Sequence, residues 1–419
     1  MGRESLSKDS ERYRAKVFLT YDEGLSDLTR PCVVYKIKFQ GCIIIMTVMA
    51  SLFCSFVGEA ATSEKRPTVI ITVDVETTMR GDRVLALPEQ VKAVCVGNIS
   101  CGLREMVRML NARGLAATFF LNVYEYKEYG QPALETIARW LDKSGQDVEL
   151  HTHPQWAYDR KRNMMFQYSL QEQTEIIRAG KELLQKWTGS PVVVHRAGAY
   201  SADENTLKAL IANGIFYDSS LFLGNADSEI NSFGDLRKNA LSMYGPLYEF
   251  PVTVYRKNEL PSFGSDYLPS HSKVRKYDIN WFGDQLEARK ALEEAIRLKM
   301  DFVILFLHSF SFIKGGDGSG HMVADVDAIK RFGKVLDIIG ARGLKTSTFK
   351  EIHDADTGME KYLTRPDIIP AISVKITMFQ YIREFITRNN YKEYVLFCGV
   401  LAAALGLLLK RHTFRNDQK

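Results

Sequence analysis

Between residues 67 and 355 short apolar runs alternate with longer amphipathic ones, and this alternation narrows the possible folds more than any other feature of the chain. The runs TVIITVDVE (68–76), LAATFFLN (115–122), DVELH (147–151), VVVHR (192–196), IFYDSS (215–220), LYEFPVTV (247–254), DFVILFLH (301–308) and KTSTF (345–349) have the length and make-up of strands. Between them, helical periodicity marks SCGLREMVRMLNARG, PALETIARWLDKSG, SLQEQTEIIRAGKELLQKWTG, ADENTLKALIANG, FGDQLEARKALEEAIRLK and DVDAIKRFGKVLDIIGARG, several of which close on Gly after a polar or basic last turn. Strands that alternate with helices imply a parallel sheet. Several of these strands are apolar on both faces, as strands covered on both sides must be, and eight candidates are about the number that closes a barrel. The expectation is an α/β fold, a distorted (β/α) barrel of parallel strands over residues 67–355. The stretch 222–285, rich in Ser, Asn, Tyr and Pro and weakly periodic, is expected to form loops over one barrel mouth. Residues 356–393 are expected to be a polar, partly helical connector.

Two apolar segments flank this body. CIIIMTVMASLFCSFV (42–57) follows Lys36 and Lys38 and reads as the core of an export signal or an uncleaved anchor, with a small-residue exit near Ala60 and Ala61. Residues 1–66 are accordingly a leader. YVLFCGVLAAALGLLL (394–409) carries no charge and precedes KRHTFRNDQK (410–419), so it is expected to be a C-terminal transmembrane anchor with a basic cytoplasmic tail. Such an arrangement places the body outside the cytoplasm, on the periplasmic or extracellular face, with the membrane as a partner. A net charge of +5 over 419 residues is too mild and too evenly spread to argue for nucleic acid. Of the six cysteines, only Cys95 and Cys101 fall in the body. They can close a small disulfide loop in an oxidising compartment or stay as two packed thiols.

In a parallel α/β barrel, functional side chains collect where strands end. Asp74 and Glu76 end the first run, His151 and His153 the third, Arg196 the fourth and His308 the seventh. Side chains alternate along a strand, so Thr72, Asp74 and Glu76 share one face, opposite Ile71, Val73 and Val75. By the same count Glu149, His151 and His153 lie opposite Val148 and Leu150. A spacing of two is how a strand aims two imidazoles at one point. Two imidazoles with one carboxylate suit zinc or a similar divalent ion and leave a coordination position open for solvent. Glu76, His151 and His153 form such a set.

Five stretches in order, TVDVE, ATFFLN with the later HTHPQW, HRAGAYS, YDSSL and ILFLHSF, resemble the motifs of the polysaccharide deacetylase family, which includes chitin, chitooligosaccharide and peptidoglycan N-deacetylases. The resemblance covers roughly residues 67–350. It implies a distorted barrel of about seven βα units, a divalent metal, for which the donor set suits zinc, and removal of acetyl groups from N-acetylated sugars. Two positions depart from the pattern. Val75 stands where the family places a second aspartate, so Asp74 matches the base and Glu76 would take over as ligand. The family's histidines stand four apart, and position 155 here is Gln. Either His153 substitutes for the missing histidine, or the metal is weakly held.

The resemblance, with the chemistry of amide hydrolysis, gives each group an expected role. Asp74 is the general base, held ionised by Arg196, and His308 is the acid that protonates the departing amine. Backbone amides at Ala199 and Tyr200 face the developing oxyanion. His195 points away from Arg196 and packs beneath a helix. His271, His321, His353 and His412 have no supporting constellation, and Trp156, Tyr158 and Tyr200 either stack on sugar or pack. The preferred function is a metal-dependent hydrolase that removes N-acetyl or similar groups from a cell-surface or exported polysaccharide. Two alternatives share the fold: a non-catalytic glycan-binding or assembly protein, and a hydrolase of small amides.

Overall fold

The computed structural model describes residues 66–376 apart from 81–82, 96–98, 226–227, 233–235, 237, 262–271, 316–321, 356–357 and 364–366. The chain divides between Glu64 and Lys65, and all described residues belong to the second unit. The apolar segments 42–57 and 394–409 lie outside the described residues. Among the described residues no helix is long and apolar enough to cross a membrane.

An eight-stranded sheet organises this unit. Its strands are β1 (Thr68–Val75), β2 (Thr118–Asn122), β3 (Asp147–Thr152), β4 (Val194–Ala197), β5 (Tyr217–Asp218), β6 (Ser242–Tyr244), β7 (Leu247–Glu249) and, later in the chain, Phe302–His308. Between these last two come β8 (Val254–Pro261) and β9 (Ser272–Lys276), so Phe302–His308 is β10, and Ala371–Ile376 is β11. The order is β6-β7-β5-β4-β3-β2-β1-β10, parallel throughout except for β6, which pairs antiparallel with β7. The sheet curls into a half-barrel with helices, the distorted (β/α) barrel expected of the sequence. Beyond β10 the curve continues through a short extended segment: Asp278 bridges Phe306, and the N–H of Tyr277 donates to the carbonyl of Thr253 at 2.9 Å.

The longer helices are α1 (Leu103–Asn111), α2 (Gln131–Lys143), α3 (Leu170–Thr188), α4 (Glu204–Ala212), α5 (Gln285–Arg297) and α6 (Val326–Ala341), and among the short ones α7 (Phe349–Asp354) enters the core. Their ends follow from local chemistry. Ser169 and Glu172 cap α3 reciprocally, and Gly189 closes it in the left-handed region at φ +78°, where a Cβ is costly.

The strand alternation divides the core in two. Val69, Ile71, Val73 and Val75 face the outer helices together with Val148 and Leu150. Ile70, Phe120, Val194 and Ile304 face inward and meet Phe349 and Ile352 of α7, which fills that part of the barrel interior. Asp147 supports the start of α7: its Oδ2 accepts from Thr118 Oγ1 at 2.7 Å and from the N–H of Lys350 at 3.2 Å.

Three expectations change. The eighth run, 345–349, reduces to one bridge between Thr346 and Val69, because Thr348 and Glu351 form a capping box that starts α7 instead. The stretch 222–285 is not a set of loops alone, since it supplies β6 and β7 to the main sheet and β8 and β9 to a second one. In that second sheet β8 lies between β9, antiparallel, and β11, parallel. Ala371–Ile376, in the segment read as a connector, is therefore a strand. Cys101 is disulfide-bonded, and the hairpin Val94–Cys95 with Ile99–Ser100 sets Cys95 opposite Ile99.

Candidate metal centre

The parallel register brings the strand ends to one place. Asp74 is the partner of His308 across β1 and β10, and His151 is the partner of Arg196 across β3 and β4. Glu76 follows the last residue of β1, and His153 follows the last residue of β3. Glu76 Oε2 lies 2.6 Å from His153 Nε2 and 3.3 Å from His151 Nε2. One donor atom each from Glu76, His151 and His153 falls within 4.8 Å of the other two. Two imidazole nitrogens and one carboxylate oxygen are the donor mixture of a three-ligand zinc site, so these side chains fit the divalent ion that the family implies. Val75 is fully buried in the outer core and supplies nothing to this group. Gln155 Nε2 comes within 3.4 Å of His153 Nδ1 and lies outside the three-residue cluster.

The surroundings explain the ionisation of these groups. Burial disfavours charge on Glu76, but His153 and His151 outweigh it and hold the carboxyl well below its ordinary range. Burial by itself would lower His153; the Glu76 carboxylate reverses this and raises it. His153 is also held sterically. Its ring lies against Gly198, where a Cβ would come within 2.5 Å of both ring nitrogens.

Asp74 and Arg196 form a buried pair, with Arg196 NH1 donating to Asp74 Oδ1 at 2.7 Å. The guanidinium has other anchors. It donates to Thr72 Oγ1 at 3.1 Å, to the Ser219 carbonyl at 3.0 Å and to Ser219 Oγ at 2.9 Å, and it lies 4.2 Å from the centre of the Phe120 ring. Asp74 Oδ2 is 3.8 Å from His151 Nε2. Removing one partner of such a pair strands a buried charge, which costs about 3–5 kcal/mol.

His308 reaches the cluster from the other side of β1, with Nε2 3.7 Å from Glu76 Oε1. It stacks on Phe310 at 4.5 Å, and burial, reinforced by Lys276, lowers its pKa. Ala199 and Tyr200 follow β4 with φ of 51° and 59°. Two consecutive non-glycine residues in that region cost about 1 kcal/mol or more each and persist only where the surroundings enforce them. Tyr200 packs on Phe222 and Phe306, and its hydroxyl accepts from Lys276 Nζ at 3.1 Å. Trp156 packs beside Tyr129 and under Arg160, whereas the side chain of Tyr158 is substantially exposed.

Sequence reasoning missed the supporting residues. Lys276 is buried with Asp278 at 3.2 Å and sits 3.8 Å from the Phe306 ring centre; no pattern in the chain announces it. Ser219 lies inside YDSSL and was visible there only as part of a motif. His195 is buried, but its contacts are polar: Nδ1 is 2.8 Å from Asp218 Oδ1, and Nε2 is 3.0 Å from Thr152 Oγ1.

With this geometry in place, the comparisons agree with the motifs. Residues 63–217 match the model of the polysaccharide deacetylase family. That stretch holds β1 to β4 with the first residue of β5 and carries Asp74, Glu76, His151, His153 and Arg196, so the family resemblance is shown over the segment that supplies the cluster. No curated protein matches the chain. Among solved structures, the chain is similar to a putative polysaccharide deacetylase from Mycobacterium smegmatis (18% identity over 74% of this chain and 97% of that one, TM-score 0.43). It is similar to a CE4 family pseudoenzyme from Bacillus anthracis (11%, 74% and 70%, TM-score 0.37). It is also similar to a family 4 acetyl xylan esterase from Clostridium thermocellum in complex with a cobalt ion (13%, 69% and 91%, TM-score 0.34).

Proposed function

We propose that the protein is a metal-dependent hydrolase that removes N-acetyl or similar acyl groups from an exported or cell-surface polysaccharide. The observation that carries this reading is the convergence of Glu76, His151 and His153 on one point, with Asp74 3.8 Å from His151 Nε2. A divalent ion held by the three side chains supplies Lewis acidity to a carbonyl and lowers the pKa of water. Zinc is the ion that the donor set suits best.

The chain's own groups do the rest. Asp74 accepts a proton from the attacking water, and Arg196 keeps that carboxylate ionised and turned toward the cluster. As the carbon–nitrogen bond breaks, the nitrogen takes a proton from His308, leaving acetate and a free amine on the sugar. The Ala199 and Tyr200 amides, in their enforced backbone geometry, are the donors assigned to the oxyanion. Export and membrane attachment rest on the segments 42–57 and 394–409 and belong to the same proposal.

A non-catalytic glycan binder is the second reading, favoured by Val75 and Gln155 at positions where the family's metal motif differs. Loading the full-length chain with zinc or cobalt and measuring acetate release from N-acetylated polymers separates the two. Release that disappears in Asp74→Asn is expected. Equal behaviour of wild type and variant, with no acetate released, excludes the hydrolase. Release from small amides but not from polymers would move the substrate to a small molecule.

A further inference from the structure

The strand ladders stop short of two of the three ligand residues. The last pairs are Val75 with Leu121 between β1 and β2, and Asn122 with His151 between β2 and β3, so Glu76 and His153 lie beyond regular pairing. A fully buried carboxyl group, Glu125, stands where the ladders end. Its Oε1 accepts from the N–H of Thr77 at 2.8 Å and from Asn122 Nδ2 at 3.0 Å, and its Oε2 accepts from the Thr77 hydroxyl. Thr77 is the residue after Glu76. Asn122 Oδ1 in turn accepts from the N–H of His153 at 3.3 Å.

Resting on the reading of Glu76, His151 and His153 as metal ligands, we infer that Glu125 is a positioning residue. It bridges the segment bearing Glu76 to the backbone of His153 and sets the spacing of their donor atoms. Glu125 makes no ion pair among the described residues, and a buried carboxyl group without a cation costs several kcal/mol that an apolar side chain of the same size would avoid. A packing role alone does not account for it. Three converging donors do, two from the residue after Glu76 and one from the Asn122 side chain that also holds the His153 N–H, because groups that orient metal ligands are worth about tenfold to a hundredfold in metal affinity.

The test uses the full-length chain, with zinc affinity measured by chelator competition and cobalt geometry read from the visible absorption spectrum. Glu125→Leu is expected to weaken zinc by about tenfold or more and to change the cobalt spectrum. Glu125→Gln should stay close to wild type, since its amide oxygen still accepts from Thr77 and Asn122 and its NH2 donates to the Thr77 hydroxyl. A Glu125→Leu protein that melts earlier but binds zinc as wild type does would overturn the inference. If that variant does not fold, Asn122→Ala cuts the same bridge on its other side, and unchanged zinc affinity there is equally decisive. Wild-type protein that binds neither metal removes the ligand reading itself, and this inference with it. Wild-type binding that both variants retain removes only the role of Glu125.

Discussion

His151 Nδ1 lies 2.9 Å from the carbonyl oxygen of Arg196, its register partner across β3 and β4. A carbonyl oxygen can only accept, so Nδ1 carries a proton and Nε2, 3.3 Å from Glu76 Oε2, is the ring atom left to face a cation. The backbone of the residue that orients Asp74 thereby selects the tautomer of a candidate ligand. His151→Ala is expected to weaken zinc binding by more than the about tenfold to hundredfold typical of an outer hydrogen-bonding group. Titration calorimetry with zinc checks this, and an unchanged isotherm would remove His151 from the ligand set.

Gly198→Ala tests the position of His153 without touching a ligand. The added Cβ would come within 2.5 Å of both ring nitrogens, so either the imidazole or the turn must shift. Loss of zinc affinity is expected with little change in the far-ultraviolet circular dichroism. Normal affinity would mean that the Nε2 position of His153 does not matter to the site.

Asp74 and Arg196 should respond differently to substitution. Arg196→Ala leaves a buried carboxylate unpaired and is expected to destabilise the fold by about 3–5 kcal/mol. Asp74→Asn keeps an acceptor for the guanidinium and should abolish acetate release while costing much less stability. Urea unfolding of both variants distinguishes them, and equal losses of stability would contradict this division of labour.

A pH dependence of stability follows from Asp147 and Glu149, away from the candidate metal centre. Burial pushes Asp147 up to about 6 and, with Asp147 beside it, pushes Glu149 well above the carboxylate range. Because the folded values are raised, the neutral forms favour folding. The stabilisation is complete below the unfolded pKa near 4; the part from Asp147 is lost as pH rises through about 6, and the part from Glu149 is lost at higher pH. Asp147→Asn can still accept from Thr118 and Lys350 and can donate to Glu149. It should therefore lose less stability than wild type between pH 4 and pH 8, a difference on the order of 3 kcal/mol for a shift of about two units. Parallel stability curves for the two proteins would count against a shared proton at this pair.

The motifs placed Asp74, His151, Arg196 and His308 at strand ends, and strand alternation put Thr72, Asp74 and Glu76 on the face opposite Val73 and Val75. Both features were legible because they depend on neighbours one or two residues apart. The strand expected at 345–349 was misread because a capping box outweighed its local strand character. The pairing of β8 with β11 joins residues more than a hundred positions apart, and no local pattern encodes it.

By itself, then, the amino-acid order determined the alternating strands and helices, the face on which each polar side chain lies and the types of donor available to a cation. Tertiary structure alone decided how closely Glu76 approaches the two imidazoles, that the Arg196 carbonyl holds His151, and that Lys276 and Glu125 support the site from within. The physical reason is that periodicity is a property of a few successive residues, whereas a distance of 2.6 Å between Glu76 and His153 depends on how separate strands register, curl and are cross-linked beyond their last paired residues.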